Sequence, residues 1–511
     1  MGGSASLIVA LAASRAFGLS GVVREMPSFV AYPFQLGVAS GDPTADGFVL
    51  WTRLAPKPLA GGGLGEESMR VHWQVAEDEA MTRLVAQGSE VASPDWAHSV
   101  HVEVAGLQPD RWYWYQFKVG QEISPLGRTR TLAAVGTDAA HTSRLKMTFA
   151  SCQHFEAGLY TAYQHMLAEA PDIVFHLGDY IYEGPGREQQ VRLHQGKEIQ
   201  SLADYRNRHA QYKCDRSLQA MHAAAPWVVT WDDHELDNNC AGGVSEKLDA
   251  DPGAFLKRRA AAYQAYYEHM PLRKSCIPSG PDMQLYRSVH HGGLVSFQVL
   301  DTRQYRTDQP NGDGLKDPGS EALNPDSTIL GKTQRDWLFR ELGASQARWN
   351  VLSQQVMMAR VDRDPGPGVK CSMDQWAGYE VDRRAVLQAF LDLEVANPVV
   401  ITGDIHSHWA NDLTLAPAVD RPQVVAAEFV GTSISSGGDG AAQPANHDAI
   451  LRENPEVKFY NAQRGYVSCE IGPDLWRADY RNVGYISRPG AALETTASFV
   501  VENGKPGLQR A

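Results

Sequence analysis

Three stretches decide the fold: Ile173-Val174-Phe175-His176-Leu177-Gly178-Asp179-Tyr180-Ile181-Tyr182, Val228-Val229-Thr230-Trp231-Asp232-Asp233-His234-Glu235, and Val399-Val400-Ile401-Thr402-Gly403-Asp404-Ile405-His406-Ser407-His408. Each opens on a short, β-branched apolar run and closes on acids and imidazoles. A fourth, Lys146-Met147-Thr148-Phe149-Ala150-Ser151-Cys152, closes on a thiol. Apolar runs of this length between turn residues read as buried strands. Ligand-type side chains at the ends of neighbouring strands open on one crevice and can converge on a cluster of cations. The pattern therefore points to a two-metal hydrolase.

Around these runs, strands alternate with helical patterns. Helices are expected over 160–170, 202–224, 334–342 and 383–394, and further strands over 294–300 and 428–430. The strands are numerous enough to require two packed sheets covered by helices, an α/β arrangement. Residues 30–135 differ. Short strands near 34–38, 47–52, 69–74, 99–104 and 112–119 are separated by turns such as Gly41-Asp42-Pro43, which reads as an all-β sandwich. This region serves packing or shielding, with carbohydrate binding through Trp51 or Trp112 as a minor alternative. The segment 133–143 is small and polar, a linker to a catalytic domain over 145–500.

The chain has 511 residues, 43% of them hydrophobic, which favours two domains over one core. Its net charge of -13, without a basic stripe, argues against a nucleic-acid partner. No apolar run is long enough for a transmembrane span. Within the N-terminal segment 1–29, Leu7 to Ala13 resembles the end of an export signal, although no Lys or Arg precedes it. An ordinary short helix is the alternative. Six cysteines do not make a disulfide scaffold, although Cys214/Cys240 and Cys276/Cys371 are conceivable pairs. The pattern sets no oligomeric state.

Several residues stand out as carriers of chemistry. Asp179 offers a carboxylate able to bridge two cations, and Tyr182, three residues on, a hard phenolate oxygen suited to Fe(III). Cys152 near carboxylates calls for a cation to hold it. Among the run from Asp232 to Glu235, Asp233 is the ligand choice, with Asp232 and Glu235 in support, and Asn238 or Asn239 adds an amide oxygen. His234 can donate a proton to a substrate oxygen or leaving group. Asp404, His406 and His408 share a direction if the strand persists, making Asp404 and His406 ligands and His408 a support. Arg303, just past a strand, can clamp a phosphate oxygen or pair with an Asp. Gln354 and Gln355 are weaker contributors to a polar pocket.

Together, Phe34-Gln35-Leu36-Gly37-Val38-Ala39-Ser40-Gly41-Asp42-Pro43, Ser151-Cys152, Gly178 to Tyr182, Trp231 to Glu235 with Asn238-Asn239, Leu300 to Arg303 and Gly403 to His406 resemble the PhoD-type alkaline phosphatase/phosphodiesterase family. The resemblance covers about residues 30–500. It implies a calcineurin-like metallophosphatase β-sandwich core flanked by helices, preceded by an immunoglobulin- or fibronectin-like all-β domain. It also implies Fe(III) held by Cys152, Asp179, Tyr182 and His406. Asp179 would bridge to Ca(II), completed by Asp233, Asn239 and Asp404. Ser151-Cys152 stands where most metallophosphatases carry Asp-x-His. Members are exported, which implies a periplasmic or extracellular protein.

The implied activity is phosphomonoester and phosphodiester hydrolysis of small-molecule substrates. Metal-activated hydroxide attacks phosphorus directly, His234 is the leaving-group acid and Arg303 the clamp. The alternatives are a phospholipase-D-like phosphodiesterase with a greasy entrance, a phosphotriesterase, and a non-catalytic binding protein. The polar loop Gly431 to Gly438 is glycine-rich after Ser435, and there it is expected either to form a mobile rim over the active site or only to pack on it.

Overall fold

The computed structural model describes residues 22–247, 250–415 and 423–511. Leu7 to Ala13, read as an export-signal remnant, lies outside the described residues.

Alternation along each strand builds four layers. Phe149, Phe175, Val228, Phe297, Val351, Ile401 and Phe429 all point into one core between two sheets. Their neighbours Ala150, Val174 and Val229 face helices on one side, and Leu352, Val400 and Val430 face helices on the other. Because successive strand residues point to opposite faces, runs buried on both faces read as continuously apolar. Each such side chain contributes roughly 1.5–3 kcal/mol by leaving water.

In the first sheet, Leu145–Ala150, Ile173–Leu177 and Pro226–Thr230 lie side by side and parallel. In the second, Val295–Val299, Trp349–Gln354, Pro398–Thr402 and Val424–Val430 are parallel neighbours. The 15-residue strand Val457–Ile471 belongs to both. Its first part pairs with His408–Thr414 in the second sheet, and its last part with Leu145–Ala150 in the first.

The β-rich N-terminal region is a sandwich. Phe48, Leu50, Val100 and Val102 of one layer meet Val71, Tyr113, Tyr115 and Phe117 of the other. One of its layers is hydrogen-bonded into the catalytic sheet, because Pro226 and Trp227 pair with Ser40 and Gly41. Trp51 is fully buried with its indole N–H on the Glu268 carbonyl (3.0 Å), and Arg128 lies 3.6 Å over Trp112. Neither indole is the open platform that carbohydrate binding requires.

The helical region 202–224 is two helices, Leu202–Lys213 and Arg216–Ala224, the second started by Asp215, whose carboxylate accepts the Ser217 and Leu218 N–H groups. All six cysteines are free, so neither conceivable pair forms.

Candidate metal centre

The three parallel strands of the first sheet end together, and the turns after them carry Cys152, Asp179 and Asp233. The strand Pro398–Thr402 brings Asp404 and His406 to the same place from the second sheet. The two edges pack tightly. A Cβ on Gly178 would sit 2.4 Å from the Asp232 Cβ, and one on Gly403 would sit 2.7 Å from that of Ser151. The glycines in both Gly-Asp pairs thus permit the turns to touch.

The residues after them are strained. Cys152, Asp179, Asn239, Asp404 and His406 have φ of 56°, 55°, 47°, 65° and 54°. Non-glycine residues in this region cost energy and persist where surroundings over-determine them. Here the restraint is visible. The Glu235 carboxylate accepts the N–H groups of Asp179 (3.1 Å), Asp232 (2.9 Å) and Tyr180. The Asp233 carboxylate accepts the Asn239 N–H at 2.7 Å. The Cys152 N–H donates to the Gly178 carbonyl at 3.0 Å, and the Cys152 carbonyl accepts the Ser436 hydroxyl at 2.8 Å.

The donors form three overlapping groups: Cys152, Asp179 and His406; Asp179, Asp233 and His234; Asp232, Asp233 and Asp404. Within each, the donor atoms lie within 4.8 Å of one another. Asp179 is shared by the first two and Asp233 by the last two. The Tyr182 hydroxyl joins the first, donating to Asp179 (2.7 Å) and lying 3.2 Å from the His406 Nε2. Asp179 Oδ1, Asp233 Oδ1 and Asp232 Oδ2 are buried without any hydrogen-bond partner. Orphaned carboxylate oxygens of this kind fit cation ligands.

The electrostatics agree. Burial, reinforced by Asp179 and Asp404, pushes the Cys152 thiol well above its ordinary range, and burial with Asp179 and Cys152 does the same to the Tyr182 phenol. Burial pushes Asp404 up to about 6 and drives His406 down to about 3, so its imidazole is neutral and free to ligate. Anionic donors crowded in a dry site repel one another until cations are bound.

His234 sits beside this cluster, its ring 4.1 Å from that of Tyr182 and its Nδ1 donating to Glu183 at 2.7 Å. Burial opposes its charge, but Glu183, then Asp233 and Asp179, raise its pKa well above the ordinary value. Asn239, not Asn238, lines the open cleft of about 350 Å³ together with Asp404 and His406.

Three expectations need correction. Arg303 is buried, with its guanidinium on Asp232 (2.5 Å) and Asp374 (2.8 Å) and its Nη2 3.8 Å from both Asp233 and Asp404. It braces carboxylates and is not presented to the cleft as a phosphate clamp. His408 does not share a direction with Asp404 and His406, because the left-handed turns break the extension. Its Nδ1 accepts the Thr432 N–H at 3.0 Å instead. Gln355 is a buried tie between strands, donating to Thr230, Trp231 and Leu300, and Gln354 bonds Thr402 and Trp376.

Within the loop 431–438, residues 431–436 are buried packing, whereas Gly437 is exposed and Gly438 half-buried. Ser436 donates to the Tyr182 oxygen at 2.6 Å, and the Arg464 guanidinium bonds the His406 carbonyl at 2.8 Å. Sequence reasoning missed Glu183, Asp374, Gln375, Ser436 and Arg464. Only Glu183 carried a signal, as an acid directly after Tyr182.

Comparison with known proteins agrees with this geometry. Residues 147–480 match the family described as PhoD-like phosphatase, and residues 21–133 match its N-terminal domain. The chain belongs to the PhoD-like phosphatase family. It is 52% identical over 493 residues to alkaline phosphatase D of Bacillus subtilis (strain 168), covering 96% of this chain and 84% of that protein. A solved structure of PhoD superposes with a TM-score of 0.92 at 52% identity, covering 95% of this chain and 93% of the other. This PhoD-like phosphatase is accordingly a metal-dependent phosphoester hydrolase. Among the described residues, no helix is long and apolar enough to cross a membrane.

Proposed function

We propose that Cys152, Asp179, Tyr182 and His406 hold Fe(III), and that Asp179, Asp233, Asn239 and Asp404 hold Ca(II). The buried, unpartnered oxygens of Asp179 and Asp233 carry this reading, because in a dry site only a cation answers them. The donor types divide accordingly: thiol, phenol and imidazole on one side, oxygens alone on the other. Bound there, the cations supply charge for phosphoryl oxygens and acidity for water.

The chain's own residues do the rest. The Asp179 carboxylate, shared between groups, fixes their separation. His234, oriented by Glu183 through Nδ1, keeps Nε2 for the leaving-group oxygen, which it protonates as the ester bond breaks. Arg303 holds Asp232 and Asp374, and through them the rigid wall that Asp233 and Asp404 project from. The substrate is a small phosphate ester, and the cleft has room for a monoester or a diester. Its lining is polar except for Leu315 and Ile405 among larger side chains, which favours polar leaving groups over acyl chains and so disfavours the phospholipase reading. The resemblance further supports action in the periplasm or outside the cell.

The test is metal analysis with a visible spectrum on full-length protein purified without added metal. Iron near one per chain, calcium, and a band lost in Tyr182→Phe are expected. Active protein without iron or a band would overturn the assignment of Cys152 and Tyr182.

A further inference from the structure

The cleft has a second wall that the chemistry above does not use. It is formed by Asp313 to Leu315 on one segment and by Arg363 and Ser372 on another. The two segments are joined by antiparallel pairing of Leu315 with Ser372 and Lys316 with Cys371, and by a Met373 N–H to Gly314 carbonyl bond of 2.9 Å. Arg363 is rooted in this wall. Its N–H donates to the Lys370 carbonyl at 2.9 Å, and the preceding Asp362 is fixed from both sides by Asn454, accepting on its N–H side at 2.8 Å and donating to its carbonyl at 2.9 Å.

The backbone is tied, but the guanidinium is not. The nearby acids are engaged elsewhere: Asp364 pairs with Lys370, and Asp362 accepts the N–H groups of Asp364 (3.3 Å) and Lys370 (2.9 Å). Of the other acids lining the cleft, Asp374 binds Arg303 and Arg306, and Asp313 accepts from Asn239. Arg363 is the one Lys or Arg lining the cleft among the described residues, and it makes no ion pair among them. A planar guanidinium without a partner, half-buried in a polar cleft, is suited to a carboxylate or phosphate. The cleft's 350 Å³ also exceeds what a phosphoryl group alone needs and is in the range that takes a small organic ligand.

We propose that Arg363 is a specificity residue that binds a second anionic group on the leaving-group side of the ester. Preferred substrates would then carry two anionic groups: the phosphoryl held at the metal-ligand wall, and a carboxylate or phosphate at the opposite wall. This rests on the hydrolase reading above and adds the substrate class to it.

The test compares phenyl phosphate with 4-carboxyphenyl phosphate on the full-length, metal-loaded enzyme. The wild-type protein should prefer the carboxylated ester, mainly through KM. In Arg363→Gln that preference should fall about tenfold, the loss expected for one charge-assisted hydrogen-bonded contact near solvent. Arg363→Lys, keeping the charge without the fork, should restore part of it. A wild-type enzyme without the preference, or an Arg363→Gln enzyme that keeps it, overturns the role of Arg363 and leaves the hydrolase reading intact. A wild-type protein that cleaves neither ester overturns both.

Discussion

The two ends of the ligand cluster solve the same electrostatic problem differently. At the Cys152–Asp179–Tyr182–His406 end the neighbouring cations are held by other partners, Arg464 on the His406 carbonyl and His234 on Glu183, and burial pushes the acidic groups toward their protonated forms. At the Asp232–Asp233–Asp404 end the chain brings its own cation: Arg303 reaches three acids, and its presence pulls Asp233 below the ordinary carboxylate range against the effect of burial. The first end is built to be completed from outside. The second is partly neutralised before any ion arrives. The difference teaches that metal dependence of structure and of chemistry need not coincide, since one half of the site can stand preformed while the other waits.

Mutations can break or sharpen this contrast. The largest effect is expected at Asp179, which serves two of the three groups. Asp179→Asn should lower kcat on a phosphate ester by roughly a thousandfold or more and reduce both metals in elemental analysis, since losing a shared anionic ligand affects both cations. Retention of either metal at full occupancy would show that the groups are independent.

Arg303→Met should act chiefly on stability. It leaves Asp232 buried without its partner and Asp374 with Arg306 alone, costing about 3–5 kcal/mol in denaturant unfolding. The effect should be as large in chelated protein as in loaded protein. An equal cost confined to the loaded form would place Arg303 with the metals rather than with the scaffold.

Tyr182→Phe should lower kcat about 10–100-fold, the range for a lost ligand or supporting contact, with the fold intact by circular dichroism. Comparable loss in Ser436→Ala, whose hydroxyl meets the Tyr182 oxygen, would extend that end of the site to the 431–436 stretch.

The mildest prediction concerns Lys213, which is not one of the donors at either end. Its ammonium is fully buried with the Trp51 ring 4.3 Å away, and burial pulls its pKa down to about 7. The unfolded chain binds this proton up to about pH 10.4. Between those values the unfolded state holds more protons, so folding stability should rise with pH, by at most about 1.4 kcal/mol per pH unit. Stability should be full above the unfolded value and fall as pH drops through the folded one. Lys213→Met should flatten the slope of thermal stability between pH 7 and 9, and an unchanged slope would refute the assignment.

The part of the fold legible in sequence was the part with simple periodicity. Ile173–Leu177, Pro226–Thr230 and Pro398–Thr402 are buried on both faces and continuously apolar, so they and their terminal ligands stand out. Pro252–His269 is harder to see because it buries Arg258, Arg259, Glu268 and His269 among its apolar residues, which blurs the helical stripe. Val457–Ile471 is harder still, because it changes sheet midway and its burial does not alternate. At the site, ligand types were legible, but directions were not. The left-handed turns at Asp404 and His406, imposed by tertiary packing, separate His408 from its neighbours. Likewise nothing in Leu300-Asp301-Thr302-Arg303 tells that the guanidinium folds back onto Asp232 and Asp374 instead of reaching the cleft.

The shared strand also bears on the timing of synthesis. The donors lie between Cys152 and His406, yet the segment that holds their two sheets in register is Val457–Ile471. A ribosome has therefore made residue 471 before this strand can lock the halves together. Until then a nascent chain offers scattered thiol, phenol and carboxylate groups without the strand that joins their sheets, so ion capture waits for Val457–Ile471.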